Sequence, residues 1–149
     1  MLYGDPDLNA LTEEVIRCAI EVHRELGPGL LESVYETALC IELQMARVDV
    51  KRQIGIPLYY KGELISEHRP DLIVGDRIVV EIKSIARFDP IHTAIMLTYL
   101  RITQLHLGLL LNFNTAFMRQ GIKRVMLYGG KDDSVSPCPR GSSSRKSRE

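Results

Sequence analysis

Three charged side chains in one short stretch are spaced for chemistry. Pro70-Asp71 begins one predicted strand, Glu81-Ile82-Lys83 ends the next, and Gly75-Asp76 lies between them as a turn. Residues two apart in a strand share a face, so Glu81 and Lys83 point the same way. A hairpin turning at Gly75-Asp76 sets Asp71 beside residue 80 or 81 and brings its carboxylate to that of Glu81. Hard oxygen ligands at that density suit Mg²⁺ or Mn²⁺. A cation held there polarises a phosphoryl oxygen and lowers the pKa of a bound water. Lys83 is placed to position that water or to stabilise developing negative charge. Glu32, on a predicted helix, is available as a further ligand or supporting contact, with Tyr35 and Glu36 beside it at i+3 and i+4. The acid-x-Lys tripeptide alone says little, because Asp49-Val50-Lys51 is another; its surroundings carry the weight. The plainer reading of the same letters is a cross-strand ion pair at a solvated strand end.

The elements that must position these groups are legible from periodicity. Leu11, Val15, Cys18, Ala19, Val22 and Leu26 recur at helical spacing, and Gly27-Pro28-Gly29 stops that helix. Asn9 or Thr12 is the expected cap. A second helix is expected from about Leu31 to before Asp49, with Leu31, Val34, Ala38, Ile41 and Met45 as its apolar line. β-branched and aromatic residues then mark strands at 48–54, 56–60, 64–68, 71–74 and 77–84, read together as an antiparallel meander with turns at Lys61-Gly62 and Gly75-Asp76. Asp89-Pro90 opens a helix through about Ile102. The continuous apolar run from His106 to Phe113 predicts a buried central strand, and 121–127 one more. Helices followed by strands, a helix and two strands indicate an α/β fold, a mixed sheet with helices packed against it.

Lys and Arg together equal Asp and Glu at 19 each, so any hold on nucleic acid needs a local patch rather than net charge. Arg69 and Arg87, close in sequence to Asp71 and Lys83, are the candidates for phosphate contacts. His23, His68, His92 and His106 share no ligand spacing. Cys18, Cys40 and Cys138 form no CxxC or finger pattern and read as reduced thiols, with Cys18 and Cys40 on apolar helix faces. No signal pattern or run long enough to span a bilayer is present, so a cytoplasmic protein with no membrane partner is expected. Residues 1–128 are expected to form one domain, and 129–149, rich in Ser, Pro and charge, a disordered or added tail.

The details resemble the PD-(D/E)XK phosphodiesterase superfamily, and within it the GxxExxY branch. Gly29-Leu30-Leu31-Glu32-Ser33-Val34-Tyr35 matches the naming segment, joined by IPLYYKG at 56–62, RPDLIVGDRIVVEIKS at 69–84, YLRIT at 99–103, GLLLNF at 108–113 and GIKRV at 121–125. The resemblance implies a restriction-endonuclease-like core, a four-stranded mixed sheet flanked by helices. It implies Glu32, Asp71 and Glu81 as ligands of Mg²⁺ or Mn²⁺ and Lys83 as the catalytic lysine. It also implies a nucleic-acid substrate, DNA ahead of RNA, and it allows a homodimer. Members usually carry Gln-x-x-x-Tyr on the helix after the lysine strand. Here Tyr99 is kept as a candidate catalytic residue, but Ile95 stands where the Gln would fall. Gln104 is no substitute, lying on the opposite side of the helix from Ile95. The alternative is therefore a module on the same fold that binds nucleic acid or protein with little or no catalysis.

Overall fold

A computed structural model describes residues 5–128 of the chain; the tail expected from 129 onward, with Cys138, lies outside the described residues. The first helix, α1 (Pro6–Leu26), begins earlier than its apolar line suggests. Asp5 is the cap: its carboxylate accepts from the N–H groups of Asp7 and Leu8 at 3.0 and 3.1 Å, and Pro6 occupies the first helical position. The expected caps Asn9 and Thr12 fall inside the helix, where the buried Thr12 hydroxyl donates to the Leu8 carbonyl at 2.7 Å. Gly27, at φ 70°, ends it as expected.

The second helix, α2 (Glu32–Met45), has the expected extent and the opposite orientation. Its buried face is Tyr35, Glu36, Leu39, Cys40 and Leu43, whereas Leu31, Val34, Ile41 and Met45 face outward. The expected core line is corrected: this helix is apolar on two sides, and spacing alone does not say which side the rest of the chain covers.

The strands are β1 (Val50–Arg52), β2 (Ile56–Tyr60), β3 (Glu63–His68), β4 (Leu72–Val74), β5 (Ile78–Lys83), β6 (Leu107–Asn112) and β7 (Ile122–Met126), with α3 (Pro90–Thr103) between β5 and β6. They form a five-stranded sheet in the order β1-β4-β5-β6-β7, while β2 and β3 pair only with each other. The expected continuous meander is therefore broken. β1 pairs across the β2–β3 hairpin with β4, Val50 opposite Val74, because β4 completes the core and the exposed hairpin does not. β5 and β6 run parallel, joined by α3 as the crossover; the other neighbours are antiparallel. β6 is buried along its length, as its unbroken apolar run requires. This is an α/β fold, a mixed sheet flanked by helices, consistent with a restriction-endonuclease-like core.

Successive β5 residues alternate between two cores. Val80 and Ile82 pack with Leu72, Leu109 and Leu111 under α1 and α2; Val79 packs with Leu110, Met96 and Leu100 under α3. Cys18 and Cys40 are buried and unpaired. Among the described residues no helix is long and apolar enough to cross a membrane.

Candidate metal centre

The turn between β4 and β5 spans Gly75, Asp76 and Arg77, with Gly75 and Asp76 at positive φ (60° and 56°) and the Arg77 N–H donating to the Val74 carbonyl at 3.0 Å. It sets the register Leu72 opposite Val80, which carried one step further places Asp71 opposite Glu81. Glu81 and Lys83 share the parity of Val79, and Asp71 is the matching position on β4, so all three project from the α3 side of the sheet at its rim.

The two acids cap each other's strands. The Asp71 N–H donates to Glu81 Oε2 at 3.0 Å, and the Ile82 N–H donates to Asp71 Oδ2 at 2.8 Å. Burial pushes the Glu81 carboxyl up to about 8, with the negative charge of Asp71 next in weight; the Asp71 N–H and the Lys83 charge pull the other way. Asp71 is also raised, by burial first, against the Ile82 hydrogen bond that lowers it. Lys83 is half-buried, and its charge lowers both acids without closing an ion pair to either. Burial first, and then the charges of Glu81 and Asp71, raise the Tyr99 phenol on α3. It also meets the His68 ring edge-on at 6.1 Å between centroids.

Glu36 and Gln53, not singled out as site residues by sequence, complete the polar surroundings. Glu36 is one turn beyond Glu32 on the buried face of α2, and its charge bears on both Asp71 and Glu81. Arg52 Nε holds its Oε2 at 3.1 Å. The Gln53 amide donates to both Glu36 oxygens at 3.2 and 3.3 Å and to Asp71 Oδ1 at 3.2 Å, tying the acids together. Gln53 adopts φ 51° and donates its own N–H to the Asp71 carbonyl at 3.0 Å. A glutamate in the buried stripe of a helix is the signal that could have found Glu36, had the stripe been read on the correct side. Nothing local in the sequence marks Gln53.

The remaining candidates are placed elsewhere. Glu32 lies in the first turn of α2, and its Oε2 accepts from the Ser84 N–H at 3.1 Å, one residue past Lys83. Tyr35 is fully buried, stacked on Phe113 at 4.5 Å, with its hydroxyl donating to the Gly27 carbonyl and accepting from the Leu30 N–H. It pins the loop that delivers Glu32. Arg69 braces the β3–β4 corner through the Gln53 carbonyl (3.0 Å) and Glu67 (2.8 Å). Arg87 is exposed in the loop between β5 and α3. Asn112 fixes the start of that loop, accepting from the Ile85 N–H and donating to its carbonyl.

The donor set suits a hard divalent cation, whose charge would relieve the repulsion between the buried Glu81 and the half-buried Asp71 carboxylates. Glu81 Oε1 makes no hydrogen bond to the protein, and Asp71 and Glu81 supply only oxygens. Among the described residues no three His, Cys, Asp or Glu side chains close a cage. A hard divalent cation is commonly bound by one or two carboxylates, with waters and substrate phosphates filling the rest.

A family model described as the PD-(D/E)XK nuclease superfamily matches residues 9–125. No curated protein and no solved structure matches the chain.

Proposed function

We propose, for a chain that belongs to the PD-(D/E)XK nuclease superfamily, hydrolysis of phosphodiester bonds in nucleic acid, DNA ahead of RNA, dependent on Mg²⁺ or Mn²⁺. The observation that carries this reading is the Asp71–Glu81 pair, Glu81 buried and Asp71 half-buried, each carboxylate held by a backbone N–H of the other strand end and both raised in pKa, with Lys83 on the same face. Asp71 and Glu81 hold the cation, and Glu36 stands behind Asp71 through Gln53. A cation bound there supplies polarisation of a phosphoryl oxygen and a more acidic water. Lys83, on the same face as Glu81, keeps positive charge beside the attacking side and stabilises the anion that develops. Glu32, assigned to the metal by resemblance, accepts from the Ser84 N–H and steadies the end of β5, where it would hold the cation or support the residues that do. Tyr99 lines the site, and Arg87 and Arg69 flank it as phosphate contacts. Gly29, Glu32 and Tyr35 support assignment to the GxxExxY branch. The buried unpaired Cys18 and Cys40 favour a reducing, cytoplasmic setting. Residues 1–128 act as the catalytic unit.

A cleavage assay tests this on single- and double-stranded DNA and RNA with Mg²⁺ or Mn²⁺, comparing the native chain with Asp71→Ala and Lys83→Ala. The first change should abolish both cleavage and Mn²⁺ binding; the second should slow cleavage and leave Mn²⁺ binding intact. A second reading, a binding module that does not cut, is favoured by Ile95, an exposed apolar side chain one helical turn from Tyr99. It wins if the chain binds Mn²⁺ and nucleic acid but cuts neither as it stands nor as Ile95→Gln.

A further inference from the structure

The outer face of α2 carries more apolar surface than a solvated helix needs. Leu31, Val34, Ile41 and Met45 are 74, 40, 52 and 72 % exposed, and the half-buried Ala38 lies between them. Their spacing is three, four, three and four residues, the seam pattern of helices that pair along their length. Leu30 and Leu26 extend the patch at the N-terminal end. Single apolar residues scattered over a surface need no explanation, but a stripe running the whole helix does. The opposite side of α2 is already committed to the core through Tyr35, Leu39, Cys40 and Leu43.

We propose that this face is the docking surface for a second copy of the chain, α2 against α2, in a symmetric dimer. A seam of this spacing is complementary to itself about a two-fold axis, which is the condition for a closed pair. The charges agree with it. Thr37 and Gln44 border the seam on one flank, and Glu42 is the charged residue on the other. In a parallel pairing Glu42 falls opposite Thr37 of the second copy, and in an antiparallel pairing centred on the helix it falls opposite the buried Tyr35, so in neither register does it meet a like charge. Of the sequence outside the described residues, neither segment suits the stripe. Residues 1–4 reach at most about 14 Å, against about 21 Å for a 14-residue helix. Residues 129–149 contain one aliphatic side chain, Val135. A seam of this length sits below the ~1,200 Å² of standard interfaces, so the dimer forms reversibly, in the micromolar range. The proposal rests on α2 alone and not on cleavage.

Sedimentation velocity of the full chain from about 5 to 500 μM, a range that brackets micromolar association, is the test. The mass should rise from one chain toward two with concentration. Ile41→Glu with Met45→Glu should remain a single chain at every concentration, with helix content and thermal midpoint unchanged because neither residue belongs to the core. Should that variant lose helix, Ile41→Ser with Met45→Ser removes the same apolar surface without charge, and it should weaken association at least tenfold. A parent that stays a single chain throughout overturns the proposal, as does a dimer that persists in a folded variant.

Discussion

The β2–β3 and β4–β5 hairpins are turned by similar devices, a two-residue loop in one and a three-residue loop in the other, and end in opposite surroundings. Each has two positive-φ residues at its tip, Lys61 and Gly62 in one and Asp76 after Gly75 in the other. Each flank is rich in β-branched or aromatic residues. Yet β4 and β5 are buried almost throughout, whereas β2 and β3 are exposed along most of their length and join no other strand. Local backbone code makes a hairpin, and what the hairpin packs against decides whether its side chains become a core, a charged site or a surface. The raised carboxylates belong to the buried hairpin because only there does desolvation act on them.

The largest expected contrast is in activity. Asp71→Ala at the root of the buried hairpin should leave no cleavage above background, while Glu63→Ala at the tip of the exposed one should leave the rate within about twofold, since only the first removes a ligand. A Glu63→Ala chain that cuts as poorly as Asp71→Ala would break the contrast.

Stability should divide the hairpins next. Ile78→Ala empties a fully buried site in β5 and should cost about 2–5 kcal/mol. Leu64→Ala, on the exposed hairpin, should fall within about 0.5 kcal/mol of the parent. Urea midpoints with unchanged slopes read both.

A finer division lies in the turns. Both Gly75→Ala and Gly62→Ala force a methyl-bearing residue to positive φ, at about 1–2 kcal/mol. At Gly75 the new Cβ would also come within 2.7 Å of Leu11 Cδ2, while at Gly62 it meets open space. Gly75→Ala should therefore be the more destabilising, by a margin set by how far Leu11 can yield.

The last contrast is a slope with pH. The Glu81 carboxyl is raised to about 8 in the folded, metal-free chain, above its ordinary value, so across the interval between them the folded state holds more protons than the unfolded one. Stability must then fall as pH rises toward 8 and be recovered as pH drops. Glu81→Gln should flatten that slope in thermal melts at a series of pH values. An equal slope in the variant would mean that Glu81 is not the group responsible.

Much of this molecule is written locally. Asp89-Pro90 starts α3, Gly27 stops α1, the apolar run from 107 to 112 is a central strand, and Gly75-Asp76 turns the hairpin that pairs Asp71 with Glu81. These features are set by backbone conformation and by hydrogen bonds a few residues apart, so neighbouring letters suffice. Even Asp5-Pro6, overlooked as a helix start, has the same form as Asp89-Pro90. The outward face of α2, the pairing of β1 with β4 across an intervening hairpin, and the Arg52–Glu36–Gln53–Asp71 network were decided by the tertiary structure alone. A helix that is apolar on two sides satisfies its own periodicity either way round, and only competition among α1, the sheet and solvent for its surface selects the side that is buried. Gln53 becomes part of the site because that competition brings α2 within reach of the strand carrying Asp71, a distance that no spacing along the chain encodes.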